Sequence, residues 1–114
     1  MRTLEKLDLL APFEIWEVSL GSISIKFYEP LILTPCWLED DPDDPDENEY
    51  LVVRRPDLDL TSWGQDRKEL WNCIQGDIRE AWECFVRIPD DRLSPQGKKI
   101  KAAYLAIAEE VSYE

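Results

Sequence analysis

The hydrophobic pattern of this chain changes its period at residues 64–66, and this change constrains the fold more than any other feature. Before it, apolar and polar side chains alternate, as in ISIKF at residues 23–27, which is the period of a half-buried β-strand. After it, apolar residues recur at intervals of three and four, which is typical of an amphipathic helix. The order of strands first and helices second predicts an α+β domain, with a small, mostly antiparallel sheet of three to four strands and two helices packed on one face.

The first strands are expected to form a hairpin. Residues 13–20 are rich in aromatic and β-branched side chains, Gly21-Ser22 supplies a tight turn, and the alternation continues over residues 23–28. Pro30 breaks the strand pattern, which resumes at residues 31–33, and a third short piece extends to Leu38.

A further strand is predicted at residues 50–54, in the stretch YLVVRRP. Charged side chains and proline are devices that guard sheet edges, so we expect this strand to lie at an edge, where it is able to pair with a strand of a partner protein. The alternation DLDL that follows predicts that Leu58 and Leu60 face the core, while Asp57 and Asp59 share the opposite, exposed face of the strand.

Two helices are expected in the second half of the chain. Asp66, followed by Glu69 three residues later, forms a capping-box pattern, and the apolar stripe behind it continues to about Val86. Gly76 inside this helix either weakens it by about 1 kcal/mol relative to alanine or permits close packing on the sheet. A second stripe predicts a C-terminal helix over residues 94–112, opened by a serine cap and a proline in its first turn.

The length and composition predict a single domain. With 114 residues, 44% of them hydrophobic, the chain is able to bury one core. Residues 1–114 are therefore interpreted as one domain, with residues 1–12 as an N-terminal arm. We recognise no signal peptide and no membrane-spanning apolar run, and the three cysteines have no paired spacing, so a reducing, cytoplasmic location is expected.

The charge of the chain is strongly acidic and is concentrated in one segment. There are 25 acidic and 13 basic residues, a formal net charge of −12, so the chain repels phosphate backbones and direct nucleic-acid binding is not expected. Residues 39–49, EDDPDDPDENE, contribute eight acidic side chains and no basic one. This segment is interpreted either as a solvated loop or as an anionic loop that docks on a basic partner.

The residue types that most enzymes use are missing or isolated. The chain has no histidine, the commonest general base and metal ligand, and its four glycines form no phosphate-binding loop. We therefore expect no catalytic activity, no metal and no cofactor. The alternative left open is a degenerate metal-dependent nuclease that retains Asp57 and Asp59 as ligands.

The stretch EYLVVRRPDLDLTSWGQDRKEL, at residues 49–70, carries a recognisable motif. Its strand ends in the tripeptide Pro56-Asp57-Leu58, a glycine follows at Gly64, and a helix opens at Asp66 with Glu69 in its first turn. With these features, residues 50–86 resemble the core of the HicB-like antitoxin family.

The resemblance implies both a fold and a role. The family core is a small sheet with helices, described as a partial ribonuclease H-like fold without catalytic residues. Its role is to bind and neutralise a small basic toxin that cleaves messenger RNA. Many members also carry a C-terminal DNA-binding domain, whereas the residues after Val86 leave room for only one more helix, so this chain is expected to be a solo core.

Together these observations predict a non-catalytic, antitoxin-like module that binds a small basic toxin or a similar basic protein. The alternative is an acidic inhibitor or nucleic-acid mimic that occupies a basic groove of another protein. Homo-oligomers are also expected, because small sheets often pair. The candidate partner-binding residues are charged or aromatic and lie in the acidic segment or around the motif: Asp40, Asp41, Asp43, Asp44, Asp46, Glu47, Arg54, Arg55, Asp57, Asp59 and Trp63.

Overall fold

The computed structural model describes residues 10–38 and 50–112, and it has the predicted α+β architecture. The acidic segment 39–49 and residues 1–9 of the predicted arm lie outside the described residues. None of the described helices is long and apolar enough to cross a membrane. The described elements are, in chain order, β1 (Phe13–Ser19), β2 (Ile23–Leu33), β3 (Cys36–Leu38), β4 (Tyr50–Arg55), β5 (Leu60–Gly64), α1 (Arg67–Ala81), α2 (Pro95–Ile107) and β6 (Ala108–Ser112).

The strands form two antiparallel sheets of three strands each, where the sequence predicted one sheet. Sheet 1 has the order β1-β2-β6, and sheet 2 has the order β3-β4-β5. Pro35, between β2 and β3, has no N–H group to donate, so the ladder of β2 does not continue into β3. The chain instead starts a second sheet at Cys36, which pairs with Val52 of β4.

The prediction that β4 is an edge strand is wrong. β4 pairs with β3 on one side and with β5 on the other, so it is the central strand of sheet 2. Leu51, Val52 and Val53 are consecutive and almost fully buried. Leu51 and Val53 belong to the common core, and Val52 lies on the opposite face of the strand, next to Trp63 of β5. The two arginines that suggested an edge only mark the end of the strand, where the chain approaches solvent.

The first helix agrees closely with its sequence pattern. Asp66 caps it, since its side chain accepts a hydrogen bond of 2.8 Å from the backbone N–H of Glu69. α1 ends at Ala81, and a five-residue π turn, Trp82–Val86, carries the helical path to the predicted end. The predicted apolar stripe of α1 is buried in the common core: Leu70, Ile74, Ile78 and Ala81.

The predicted C-terminal helix over residues 94–112 is wrong beyond Ile107. α2 ends at that residue, and residues 108–112 form β6, which pairs antiparallel with the first half of β2. The helical stripe before this point is confirmed, because Ile100 and Tyr104 are buried. After it, the backbone hydrogen bonds available along β2 outweigh a weak local helical preference, as tertiary contacts commonly do.

Two glycines, one at the end of β5 and one inside α1, have different roles. A Cβ added to Gly64 would lie 2.5 Å from the backbone nitrogen of Leu70, so the absence of a side chain lets the first turn of α1 close on β5. Gly76, in the middle of α1, has no atom within 4 Å of a Cβ placed there. Of the two explanations of Gly76, close packing on the sheet is therefore wrong, and the remaining effect is a weaker helix.

Candidate protein-binding site

The predicted partner-binding residues fall into three places. Six of them belong to the acidic segment 39–49, outside the described residues. Arg54 and Trp63 lie on the outer face of sheet 2, where Arg54 is opposite Thr61 and Trp63 is opposite Val52. The other three lie at the turn that follows β4: Arg55, Asp57 and Asp59.

The turn after β4 is held by an ion pair. Arg55 donates two hydrogen bonds of 2.9 Å to Asp57, from Nε to Oδ1 and from Nη2 to Oδ2. These hydrogen bonds hold the pKa of Asp57 below its ordinary value, and Asp57 raises the pKa of Arg55 in return. Because the pair is bidentate, the two charges largely compensate each other.

The prediction that Asp57 and Asp59 share a strand face is wrong. Asp57 lies in a single 3₁₀ turn opened by Pro56, and Asp59 ends that turn in the left-handed conformation, with φ of 51°. Leu58 and Leu60 are nonetheless buried, as the alternation predicted. Among the described residues, no group of three histidine, cysteine, aspartate or glutamate side chains is arranged to hold a metal ion.

A buried phenol from α2 lies near this turn. Tyr104 is fully buried, and its hydroxyl has no hydrogen-bond partner within the described part of the chain. Burial raises the pKa of Tyr104, and the negative charges of Asp59, Asp57 and Asp77 raise it further. The hydroxyl therefore stays protonated at neutral pH, and the group is a neutral support for the turn.

An acidic hollow lies between β5 and the end of α1. It has a volume of about 340 Å³, and it is lined by the carboxylates of Asp59, Asp77 and Glu80 beside an apolar wall. Asp77 is fixed there, since its Oδ2 accepts hydrogen bonds from Ser62 Oγ at 2.6 Å and from Cys73 Sγ at 3.4 Å. A hollow of this kind attracts cationic groups.

Strand β2 has an open edge in its second half. Its pairing with β6 ends at Phe27, opposite Ala108, whereas β2 itself continues to Leu33. On its other side, β2 pairs with β1 over residues 24–26 and again over residues 31–33, and the register is irregular between these two stretches. From Tyr28 onward, β2 therefore has no described strand on the side where β6 lies.

A groove with a volume of about 540 Å³ runs along this open edge. Its walls are residues 27–32 of β2, the end of α2 at Ala106 and Ile107, and the side chain of Arg55. We call it the edge groove. Arg55 is already bound to Asp57, so its charge is paired, and the groove presents polar and apolar surface in similar amounts beside one side of a strand backbone.

Exposed apolar side chains gather around the edge groove. Five large apolar residues are exposed in the described ranges; Tyr28 and Ile32 line the groove, and Leu105 adjoins its α2 wall. Trp16 lies on β1 at the irregular register between β1 and β2, and Trp63 lies apart, on sheet 2. Exposed apolar groups that cluster beside an unpaired strand are typical of a protein–protein contact.

The uncompensated charges beside the edge groove are acidic. Glu29 lines the groove and Glu14 lies on the neighbouring strand β1; both are exposed, and neither forms an ion pair within the described residues. Lys26, the basic residue of β2, lies between Glu17 and Glu109 on the two flanking strands. The surroundings of the groove therefore favour a basic partner.

The sequence carried one signal for this site that its interpretation missed. Pro30 interrupts the strand pattern, but proline inside a sheet is confined mainly to edges and bulges, so it also indicates one of these. In the structure Pro30 lies within β2 and lines the edge groove. The rule that proline marks a sheet edge thus fails for Pro56 after β4, but it holds for Pro30 in β2.

Comparison of the chain with protein-family models, with curated proteins and with solved structures gives no match. The resemblance of residues 50–86 to the HicB-like antitoxins therefore stays a prediction, and function is inferred from geometry and charge.

Proposed function

We propose that the chain is a non-catalytic binding module that holds a basic protein, in the way that an antitoxin neutralises a small basic toxin. The observation that carries the proposal is the exposure of Tyr28 and Ile32 along an open strand edge, with Trp16 exposed on the neighbouring strand β1, on a chain with a net charge of −12. Apolar groups at the centre of a contact and complementary charge around it are the usual anatomy of an interface. The HicB-like resemblance supports the same role.

The net charge also sets the expected kinetics. A strongly negative protein accelerates its encounter with a basic partner, and the acceleration falls steeply with ionic strength as the charges are screened. The apolar contacts that hold the complex afterwards depend much less on salt. We therefore expect salt to change the association rate more than the dissociation rate.

The proposed place of action is the cytoplasm. Cys36, Cys73 and Cys84 are all free thiols, and Cys36 and Cys84 are exposed. Exposed free thiols persist in reducing compartments, where disulfides are rare.

Co-expression with the product of the adjacent gene tests the proposal. The tagged chain should capture that product, and the association rate measured by surface plasmon resonance should fall about tenfold between 50 and 500 mM NaCl. Trp16→Ala should weaken binding about tenfold, as for an aromatic anchor. A chain that captures no adjacent-gene product, or whose affinity is the same at both salt concentrations, contradicts the proposal.

Trp63→Ala is the matched comparison for Trp16→Ala, because both tryptophans have 56% of their surface exposed. Trp63 lies on sheet 2 beside Arg54, among the residues that the sequence indicated for partner binding. If only Trp63→Ala loses affinity, the partner binds to sheet 2 and not beside the edge groove.

The second candidate function is a nucleic-acid mimic that fills a basic groove of another protein. The acidic hollow favours it, since Asp59, Asp77 and Glu80 present three carboxylates in one depression. The two functions differ in what the acidic segment does. If the six acidic residues of the segment 39–49 named above are changed to their amides, a mimic should lose binding, whereas an antitoxin-like module should only associate more slowly.

A further inference from the structure

We propose that the edge groove receives an extended, basic segment of the partner protein, which adds to sheet 1 as a strand along the second half of β2. The proposal rests on the proposed function and specifies the form in which the partner binds. It requires an accessible strand backbone, pockets for alternate side chains, and a surrounding charge that selects the partner.

The backbone requirement is met where β6 stops. β6 pairs with β2 from Ile23 to Phe27, opposite Ser112 to Ala108, and goes no further. An incoming strand is able to take the place next to β2 that β6 leaves empty, from Tyr28 to Leu33, with regular strand backbone over residues 31–33 and an irregular stretch over residues 27–30. Pro30 removes one N–H donor from this stretch, but its neighbours keep theirs.

The side-chain requirement is met by the walls of the groove. Successive side chains of an added strand point alternately to its two faces. On one side of the open edge lie Tyr28 and Ile32, which are exposed, and across the groove lie Ala106 and Ile107 at the end of α2. Alternate apolar side chains of a partner segment fit between these two walls.

The charge around the edge groove favours a basic segment of another protein over a second copy of this chain. Glu29 in the groove and Glu14 beside it have no ion-pair partner in the described residues, whereas the charge of Arg55 is paired with Asp57. A second copy of this chain would bring another net charge of −12 and another Glu29 to the same place. A segment that alternates basic and apolar residues instead matches both the acidic surroundings and the apolar walls.

A synthetic peptide provides the probe. An acetylated and amidated peptide of about eight alternating lysine and valine residues, the length of an ordinary strand, is titrated with the full chain, and binding is followed by fluorescence anisotropy. A peptide of the same sequence, N-methylated at its central residues, cannot donate backbone hydrogen bonds from those residues. We expect it to bind about tenfold more weakly, which corresponds to the loss of one or two net hydrogen bonds.

Matched variants of the chain locate the binding. Tyr28 and Trp63 are exposed to 57% and 56%, so Tyr28→Lys and Trp63→Lys replace equally exposed aromatic residues and change the net charge equally. We expect Tyr28→Lys to weaken lysine-peptide binding about tenfold, because it places a like charge at the groove. Trp63→Lys should weaken it less than about threefold, through net charge alone.

The outcomes separate this inference from the proposed function. Equal binding of the plain and N-methylated peptides overturns strand addition, and equal effects of the two lysine variants overturn the location in the edge groove. Either result leaves capture of the adjacent-gene product intact. If sedimentation equilibrium instead shows a dimer that Tyr28→Lys dissociates, the groove belongs to a second copy and the inference is wrong.

Discussion

The hydroxyl of Tyr104 is buried without a hydrogen-bond partner in the described residues. An unpaired buried hydroxyl costs about 1–3 kcal/mol, and the ring offsets this by packing edge-on against Trp82. We expect Tyr104→Phe, which keeps the ring, to leave the free energy of unfolding unchanged or to raise it by about 1 kcal/mol. Urea unfolding, followed by tryptophan fluorescence, measures the change.

Tyr28→Phe is the control for this experiment, because the hydroxyl of Tyr28 is on an exposed residue. Its removal should change the free energy of unfolding by less than about 0.5 kcal/mol. A loss of more than about 1 kcal/mol in Tyr104→Phe would show that the buried hydroxyl makes a stabilising hydrogen bond, for example to an enclosed water molecule.

The same phenol predicts a decline of stability in alkali. The pKa of Tyr104 in the folded chain is raised above its ordinary value of 10.0 by burial and by nearby aspartates. Above pH 10 the unfolded chain therefore binds fewer protons at this position than the folded chain does, so the free energy of unfolding falls as the pH rises. Tyr104→Phe should show a shallower decline above pH 10 than the unmodified chain, and identical slopes in the two proteins would contradict this.

At the scale of elements, Gly64 at the entry to α1 and Gly76 inside it provide a paired test of how a side chain at each position changes stability. Gly64→Ala forces a Cβ against the Leu70 backbone and should lower the free energy of unfolding by about 1–3 kcal/mol. Gly76→Ala meets open space inside a helix and should raise it by about 0.5–1 kcal/mol. Thermal and urea unfolding measure both. Equal effects of the same sign would show that the entry to α1 adapts to a side chain.

One carboxylate links β6 to the π turn after α1, in addition to the backbone pairing of β6 with β2. Glu110 Oε1 accepts hydrogen bonds from Trp82 Nε1 at 2.8 Å and from Arg87 Nε at 2.7 Å, and both donors hold the pKa of Glu110 below its ordinary value, Arg87 more strongly. Glu110→Ala leaves the N–H of a buried tryptophan unpaired and should cost about 1–2 kcal/mol of unfolding free energy.

Glu109→Ala is the control on the same strand, because Glu109 is exposed and lies opposite Lys26. Its effect should stay within about 0.5 kcal/mol. Glu110→Gln should lie between the two, since an amide oxygen still accepts from Trp82. Equal stabilities of the two alanine variants would show that the Glu110 hydrogen bonds do not stabilise β6.

Elements with local signals were predictable, and β6 was not. The cap at Asp66 and the stripe of α1 are encoded within a few residues, so propensity and period suffice to find them. Ala108 continues the helical stripe of α2 in the sequence but begins a strand, because its partner Phe27 lies in a distant part of the chain. The same reason explains the error at β4, whose two neighbours are set by tertiary pairing.

At the scale of the whole molecule, the net charge of −12 opposes compaction. We expect the free energy of unfolding to rise with added NaCl, most steeply below about 0.15 M, where the screening length falls to about 8 Å. Changing Asp40, Asp41, Asp43 and Asp44 to asparagine should reduce this dependence. Stability that falls with salt would show that the ion pairs, such as Arg55–Asp57, outweigh the overall repulsion.

The candidate site was only partly predictable for a related reason. Composition indicated an acidic surface and a protein partner, and the sequence placed Arg55 and Asp57 at the end of β4. The edge groove, however, exists only because β6 covers part of β2 and α2 approaches the remainder. Three segments from separate parts of the chain build it, and no local pattern contains that information.

β6 is the last described strand in the chain, and its position has a consequence for biosynthesis. β2 leaves the ribosome long before Ala108, the residue that completes sheet 1, and at about 5–20 residues per second the interval lasts several seconds. During that time both halves of the β2 backbone are unprotected on one side. A nascent chain is therefore most exposed to aggregation, or to premature capture by the proposed partner, before translation reaches the last strand.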